Sequence, residues 1–216
     1  MTAVKICGIR DAAGFDAAAE AGAEMVGFVF YPPSPRAVTP AEAAALSARL
    51  EGGPLRVGLF VDPTDAELEA VLAVVPLGLI QLHGAESVAR CAEIRARFGV
   101  PVMKAVGIAA PEDLEALAAY APVVDRFLLD AKPPAGASLP GGNAAAFDWR
   151  LTAGRVIPRP WLLAGGLTPE TVAEAIRQSG AAGVDVSSGV ERARGVKDPG
   201  RIREFVGAAR HIICRQ

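Results

Sequence analysis

Val4-Lys5-Ile6-Cys7, followed at once by Gly8-Ile9-Arg10, is a short apolar strand that runs within two residues into a turn. Successive side chains of a strand point to opposite faces, so Lys5 and Cys7 share one face. A dinucleotide-binding open sheet would carry a glycine-rich phosphate fingerprint after its first strand; Cys7-Gly8-Ile9-Arg10 stands there instead. In a closed parallel barrel the same stretch puts a thiol on the interior face at the catalytic mouth. A lone cysteine is otherwise a small buried hydrophobe, and the rest of the chain decides between the two.

Seven further apolar runs follow: Met25–Phe30, Arg56–Val61, Leu77–Leu82, Val102–Val106, Arg126–Asp130, Trp161–Ala164 and Val184–Ser187. Most lead through a loop into a stretch rich in Ala, Glu, Leu and Arg, and the strand starts lie about 20 to 35 residues apart, one βα unit each. Helix openings are legible at Thr39-Pro40, at Pro63-Thr64 before Asp65, at Glu86-Ser87 and at Thr168-Pro169 before Glu170. Alternating strands and helices predict a parallel sheet covered by helices, and so continuously apolar strands. Eight such units in 216 residues, with no low-complexity linker, fit the compact end of the (β/α)8 TIM-barrel range. One α/β domain over residues 1–216 is expected.

Composition narrows the function. Hydrophobic residues make up 51% of the chain, and its 22 basic and 24 acidic residues nearly cancel. A net charge of −2 gives no reason to expect nucleic acid or an anionic membrane surface as partner. The N-terminus opens into a strand without the pattern of a signal peptide, and the longest apolar stretch, Val71 to Leu82, is broken by Pro76 and Gly78 before it reaches membrane-spanning length. Cys7, Cys91 and Cys214, odd in number and far apart, suit neither a disulfide framework nor a metal site. A soluble, reduced, cytoplasmic protein is expected.

Active sites of such barrels sit at the C-terminal ends of the strands. Those positions hold Cys7, Arg36, Asp62, His83, Asp130 with Lys132, Gly165-Gly166, and Asp185 with Ser187-Ser188-Gly189. The last two clusters follow strands seven and eight, where backbone N–H groups often cradle a phosphate. Gly165 and Gly166 let the chain come close to an anion, and Ser187, Ser188 and Gly189 add hydroxyl donors and another close approach. Asp185 would repel a phosphate, so it is expected to orient neighbouring amides or a substrate hydroxyl. Arg36 closes the proline-stiffened loop Tyr31–Arg36 and presents a planar fork suited to a carboxylate. His83 shares a face with Gln81 near the top; it is either a ligand contact or a satisfied hydrogen-bonding residue. Lys5 and Lys104 should lie deeper, each paired with an interior carboxylate. At an apolar mouth Asp130 has a reason to stay protonated and donate a proton. Cys7 would be the base once ionised, which for a thiol needs cationic or dipolar help. An acid and a base flanking a phosphorylated ligand describe an isomerase.

Carried by residues from one end to the other, the chain resembles the phosphoribosylanthranilate isomerases of tryptophan biosynthesis. The matching stretches are Lys5-Ile6-Cys7-Gly8, Gly27-Phe28-Val29-Phe30 with Ser34-Pro35-Arg36, Val57–Val61, Gln81-Leu82-His83-Gly84 with Glu86, Leu128-Leu129-Asp130, Phe147-Asp148-Trp149, Leu163–Leu167 and Gly183–Glu191. The resemblance implies an Amadori rearrangement of a small phosphosugar substrate, without metal or organic cofactor; a monomer or homodimer is expected. It assigns Asp130 as the general acid that opens the ribose ring and Cys7 as the base that removes the C2′ proton. It also gives Arg36 the anthranilate carboxylate and the two late loops the phosphate. One departure is Ala144, where the loop after strand six usually has glycine; that loop should cover the substrate, and the run Pro133 to Pro140 is expected to be mobile without it.

Three other readings compete. The histidine-pathway isomerase runs the same rearrangement, but uses an aspartate in place of Cys7 and a second phosphate site that the early loops lack. A non-catalytic phosphosugar-binding barrel would not need both Cys7 and Asp130. A redox role for Cys7 lacks a second cysteine at CxxC spacing.

Overall fold

Strand β1 (Ala3–Cys7) pairs in parallel with β2 (Met25–Val29) on one side and with β8 (Gly183–Val186) on the other. That second pairing, Lys5 opposite Asp185, closes the sheet. Between them run β3 (Leu55–Phe60), β4 (Leu79–Leu82), β5 (Val102–Ile108), β6 (Arg126–Ala131) and β7 (Trp161–Leu163), giving a closed eight-stranded barrel in sequential order. The computed structural model describes residues 2–132 and 146–211. The covering helices are α1 (Ala12–Glu20), α2 (Pro40–Ser47), α3 (Asp65–Leu72), α4 (Val88–Phe98), α5 (Ala116–Tyr120), α6 (Val172–Ser179) and α7 (Pro199–Arg210).

Local chemistry starts and stops these helices. Thr39 and Thr64 form capping boxes with Glu42 and Glu67, so two otherwise unpaired N–H groups are satisfied at each start. Ser87 caps α4 through the Arg90 N–H, and Gly99, at φ 64°, ends it in the left-handed conformation that costs glycine least. Helix α6 departs from the sequence expectation. It begins at Val172 rather than after Thr168-Pro169, because the Thr171 hydroxyl turns back to accept from the Thr168 N–H (3.0 Å). Two connections also differ from a plain βα repeat. Among the described residues, the segment between β6 and β7 holds a single 3-10 turn, Trp149–Thr152. After β8 the chain makes a 3-10 turn at Ser188–Val190 and an antiparallel hairpin, β9 (Glu191–Ala193) with β10 (Val196–Lys197), before α7. Ala144, Pro133 to Pro140 and Cys214 lie outside the described residues.

Strand alternation divides the core in two. Val4, Ile6, Phe28, Ile80, Phe127, Leu129 and Val184 face the helices and join Phe15, Ile94 and Phe205 in the shell between sheet and helices. Met25, Val57, Leu79, Met103, Leu128 and Leu162 fill the barrel interior. Above them Cys7, Val29 and Leu59 form a small apolar layer with Tyr31 and Val61 packed against it. Lys5 is on the inner face, as expected, but Lys104 shares the outer face of β5 with Val102. It reaches Glu86 (2.7 Å) and the Gly84 carbonyl (2.7 Å) outside the barrel rather than a carboxylate within it.

Candidate active site

The thiol of Cys7 ends β1 and is 5% exposed. The chain turns immediately: the N–H groups of Gly8 and Ile9 both donate to the Gly27 carbonyl (2.9 and 3.0 Å). Gly8 sits at φ 76°, and a Cβ there would lie 2.7 Å from Arg36 Cδ, so glycine serves both the turn and the approach of Arg36. Beneath the thiol, Lys5 is wholly buried and donates to Asp185 Oδ1 at 2.7 Å. Asp185 was expected to orient amides or a substrate hydroxyl; its recorded partner is this ammonium. Burial works against the Lys5 charge, but Asp185 and the Cys7 sulfur outweigh it and raise the ammonium above its usual range. The Cys7 thiol is pushed up, chiefly by burial and further by Asp185, with Lys5 and Lys197 pulling the other way.

Arg36 is neither a surface residue nor a free fork. It is 5% exposed, and Nε and Nη2 grip the two oxygens of Glu191 (2.7 and 3.0 Å), leaving Nη1 without an acceptor among the described residues. Glu191 also accepts from Lys197 Nζ (3.0 Å) and from the Gly195 N–H (3.0 Å). Burial raises the Glu191 carboxyl, yet Arg36, Lys197 and Gly195 prevail and hold it down at about 2. Lys197, whose pKa burial lowers, continues the chain by donating to the Ser187 carbonyl (2.9 Å) and hydroxyl (3.3 Å). The Ser187 hydroxyl in turn donates to the Cys7 carbonyl (3.1 Å). The side chain expected to serve an anion thus ties β8 to β1.

Across the rim, at the end of β6, Asp130 Oδ2 lies 3.4 Å from His83 Nε2, and Gln81 Nε2 lies 2.9 Å from His83 Nδ1. With Gln81 donating, the proton of a neutral imidazole sits on Nε2, facing the Asp130 carboxyl. His83 is therefore hydrogen-bonded on one side and aimed at the acid candidate on the other. Of the remaining strand-end residues, Asp62 has φ 47° and accepts from the Ala85 N–H (2.8 Å), joining two loops, while Lys132 pairs with Asp113.

The late loops meet each other. Gly165 and Gly166 have φ of 84° and 64°, and a Cβ at Gly189 would sit 1.9 Å from the Leu167 carbonyl oxygen. The N–H groups of Gly165, Gly166 and Ser188 have no acceptor among the described residues. Two adjacent loops thus bring backbone donors to one side of the mouth. Chemically, the rim offers a thiol above a buried ammonium, a carboxyl beside an imidazole, a part-used guanidinium and a cluster of amides. Sequence reasoning had not singled out Lys197, and it quoted Glu191 without a role. The findable signal was Gly195, which turns the hairpin at φ 79° and brings the two together.

The chain is similar over nearly its whole length to one family. The family model described as N-(5′phosphoribosyl)anthranilate (PRA) isomerase matches residues 4–208. The N-(5′-phosphoribosyl)anthranilate isomerase of Paracoccus denitrificans is 66% identical over 206 residues, covering 95% of this chain and 96% of that one. The crystal structure of phosphoribosyl anthranilate isomerase from Thermotoga maritima superposes with a TM-score of 0.86 at 38% identity, covering 97% of this chain and 98% of that one. A phosphoribosyl anthranilate isomerase in complex with reduced 1-(o-carboxyphenylamino)-1-deoxyribulose 5-phosphate gives a TM-score of 0.84 at 37% identity, with coverage of 97% and 98%. With its closed barrel and a family match that runs from the first strand through the eighth, over residues 4–208, the chain belongs to the N-(5′-phosphoribosyl)anthranilate isomerase family.

Proposed function

We propose that this isomerase converts N-(5′-phosphoribosyl)anthranilate to 1-(2-carboxyphenylamino)-1-deoxyribulose 5-phosphate with Asp130 as acid and Cys7 as base. The observation that carries the reading is the placement of both groups at strand ends on one rim, with the amides of Gly165, Gly166 and Ser188 on the same mouth. Asp130 gives its proton to the ribose ring oxygen, and the C1′–O bond breaks to leave a Schiff base. The Cys7 thiolate takes the C2′ proton, giving an enolamine, which tautomerises to the ketone as C1′ gains a proton and the C2′ hydroxyl loses one. No atom is gained or lost overall. Arg36, held by Glu191, turns its remaining Nη1 toward the anthranilate carboxylate; His83 and Asp185 stand beside the substrate, and the late-loop amides take the phosphate.

We infer further that the enzyme acts in the cytoplasm on this small phosphosugar alone, as a monomer or homodimer. Among the described residues no helix is long and apolar enough to cross a membrane. The test follows turnover of the substrate by the parent and by Cys7→Ala and Asp130→Asn. Each substitution is expected to lower kcat by at least ~10²-fold, the low end for general acid–base groups. Undiminished turnover in both variants would remove these roles.

A further inference from the structure

A buried thiolate needs a cation, and two ammonium groups stand near Cys7. From the β9–β10 hairpin, Lys197 has its three protons matched by three acceptors, the Ser187 carbonyl and hydroxyl and Glu191 Oε1. From β1, Lys5 has a single oxygen acceptor among the described residues, Asp185 Oδ1, which leaves two protons unclaimed by oxygen. Its next neighbour is the Cys7 sulfur, which together with Asp185 favours the charged ammonium. The other described elements packed on the thiol present apolar side chains or bare backbone. β2 contributes Gly27 and Val29, β3 contributes Leu59, and the flanking loops contribute Tyr31 and Val61. Asp185, from β8, is the carboxylate that raises the thiol.

Gly27 shows how closely sulfur and ammonium are set. A Cβ at this position would lie 2.9 Å from Cys7 Sγ and 3.2 Å from Lys5 Nζ, so both groups converge on the same bare backbone. We propose that Lys5 is a positioning residue that holds the Cys7 thiolate by charge, while Asp185 holds Lys5 in place and tempers its pull on the sulfur. The inference rests on Cys7 being the base and adds what makes it one. Before proton transfer the trio carries an ammonium, a carboxylate and a thiolate; afterwards the C2′ proton resides on sulfur and the interior is neutral. Desolvation disfavours the thiolate, which keeps the base strong, and Lys5 keeps it populated.

Opposite signs in two variants give the test. Thiolate absorbance of the ligand-free full chain is titrated against a Cys7→Ser reference made in the same background, alongside the pH profile of kcat/KM. Lys5→Met should move the thiol ionisation and the acidic limb up by about 1 pH unit or more, the size expected of one neighbouring charge, and lower kcat/KM near neutrality about tenfold per unit. Asp185→Asn should move the thiol ionisation down. Because Lys5→Met strands a buried carboxylate, the Lys5→Met/Asp185→Asn double variant is titrated as well. It should shift upward, by less than Lys5→Met, since the ammonium acts on the thiol more strongly than the carboxylate does. An unmoved or lowered ionisation in Lys5→Met or in the double variant overturns the role of Lys5, and an unmoved or raised one in Asp185→Asn overturns that of Asp185. Should Cys7→Ala keep full turnover, the reading of Cys7 as base falls, while the titration still decides whether Lys5 charges the thiol.

Discussion

Arg36, Glu191 and Lys197 form a chain of charge at the edge of the mouth, and its effects are measurable one residue at a time. Glu191→Gln leaves two buried cations short of a carboxylate, which at neutral pH should cost about 3–5 kcal/mol in denaturant unfolding. The Glu191 carboxyl is held at about 2, below its ordinary 4.5, so its ionic contribution is complete above pH 4.5 and fades as pH falls through 2. The stability gap between parent and variant should therefore narrow over that window; a gap independent of pH would show that the charge of Glu191 is not what stabilises the chain. KM for the anthranilate substrate should also rise in this variant, because Arg36 loses the partner that fixes its plane. The long-range pairings were not readable in the sequence. Arg36 and Glu191 are 155 positions apart and Lys5 and Asp185 are 180 apart, so no local period or spacing joins them. Their residue types were legible as strand-end polar groups, and for Lys5 so was the need for a carboxylate; which carboxylate it took depends on barrel closure.

Among the elements, the two late loops depend on a contact no strand pattern announces. Gly189 reads in the sequence as a residue allowing close approach to an anion, yet its Cα faces the carbonyl oxygen of Leu167. In Gly189→Ala the new methyl would meet backbone at 1.9 Å, so the loops after β7 and β8 must part. Inorganic phosphate should then compete with the substrate at least about tenfold more weakly, while the ionisation of Cys7 stays in place. Unchanged phosphate competition would detach this pair of loops from the anion. Strand and helix positions were otherwise visible, because apolar runs and Thr-Glu capping pairs are local devices. The β9–β10 hairpin was not, since its strands are three and two residues long, too short for any period to register. The late start of α6 was hidden for a similar reason, a single hydroxyl bond from the Thr168 N–H to Thr171.

For the whole molecule, closure of the barrel converts sequence order into a site. Cys7 and Asp130 are separated by most of the chain, yet β1 and β6 deliver them to one rim because all eight strands run the same way. The inner and outer faces of the strands carry two separate apolar layers, and a buried ion pair is set into the inner one. Apolar side chains pack outward under the helices, while Lys5 and Asp185 form a charged floor below the thiol. Alternation predicted the inner place of Lys5 but not the outer one of Lys104, and the saturation of Lys197 and the openness of Lys5 were hidden because they are properties of the assembled interior. The most direct test of this account is a crystal structure of the chain with reduced 1-(o-carboxyphenylamino)-1-deoxyribulose 5-phosphate bound. The ligand should lie across the mouth with its phosphate on the amides of Gly165, Gly166 and Ser188, its carboxylate at Arg36, and C2′ within van der Waals reach of Cys7 Sγ, opposite Asp130. A ligand seated with its phosphate at Arg36, or with C2′ out of reach of the sulfur, would contradict it.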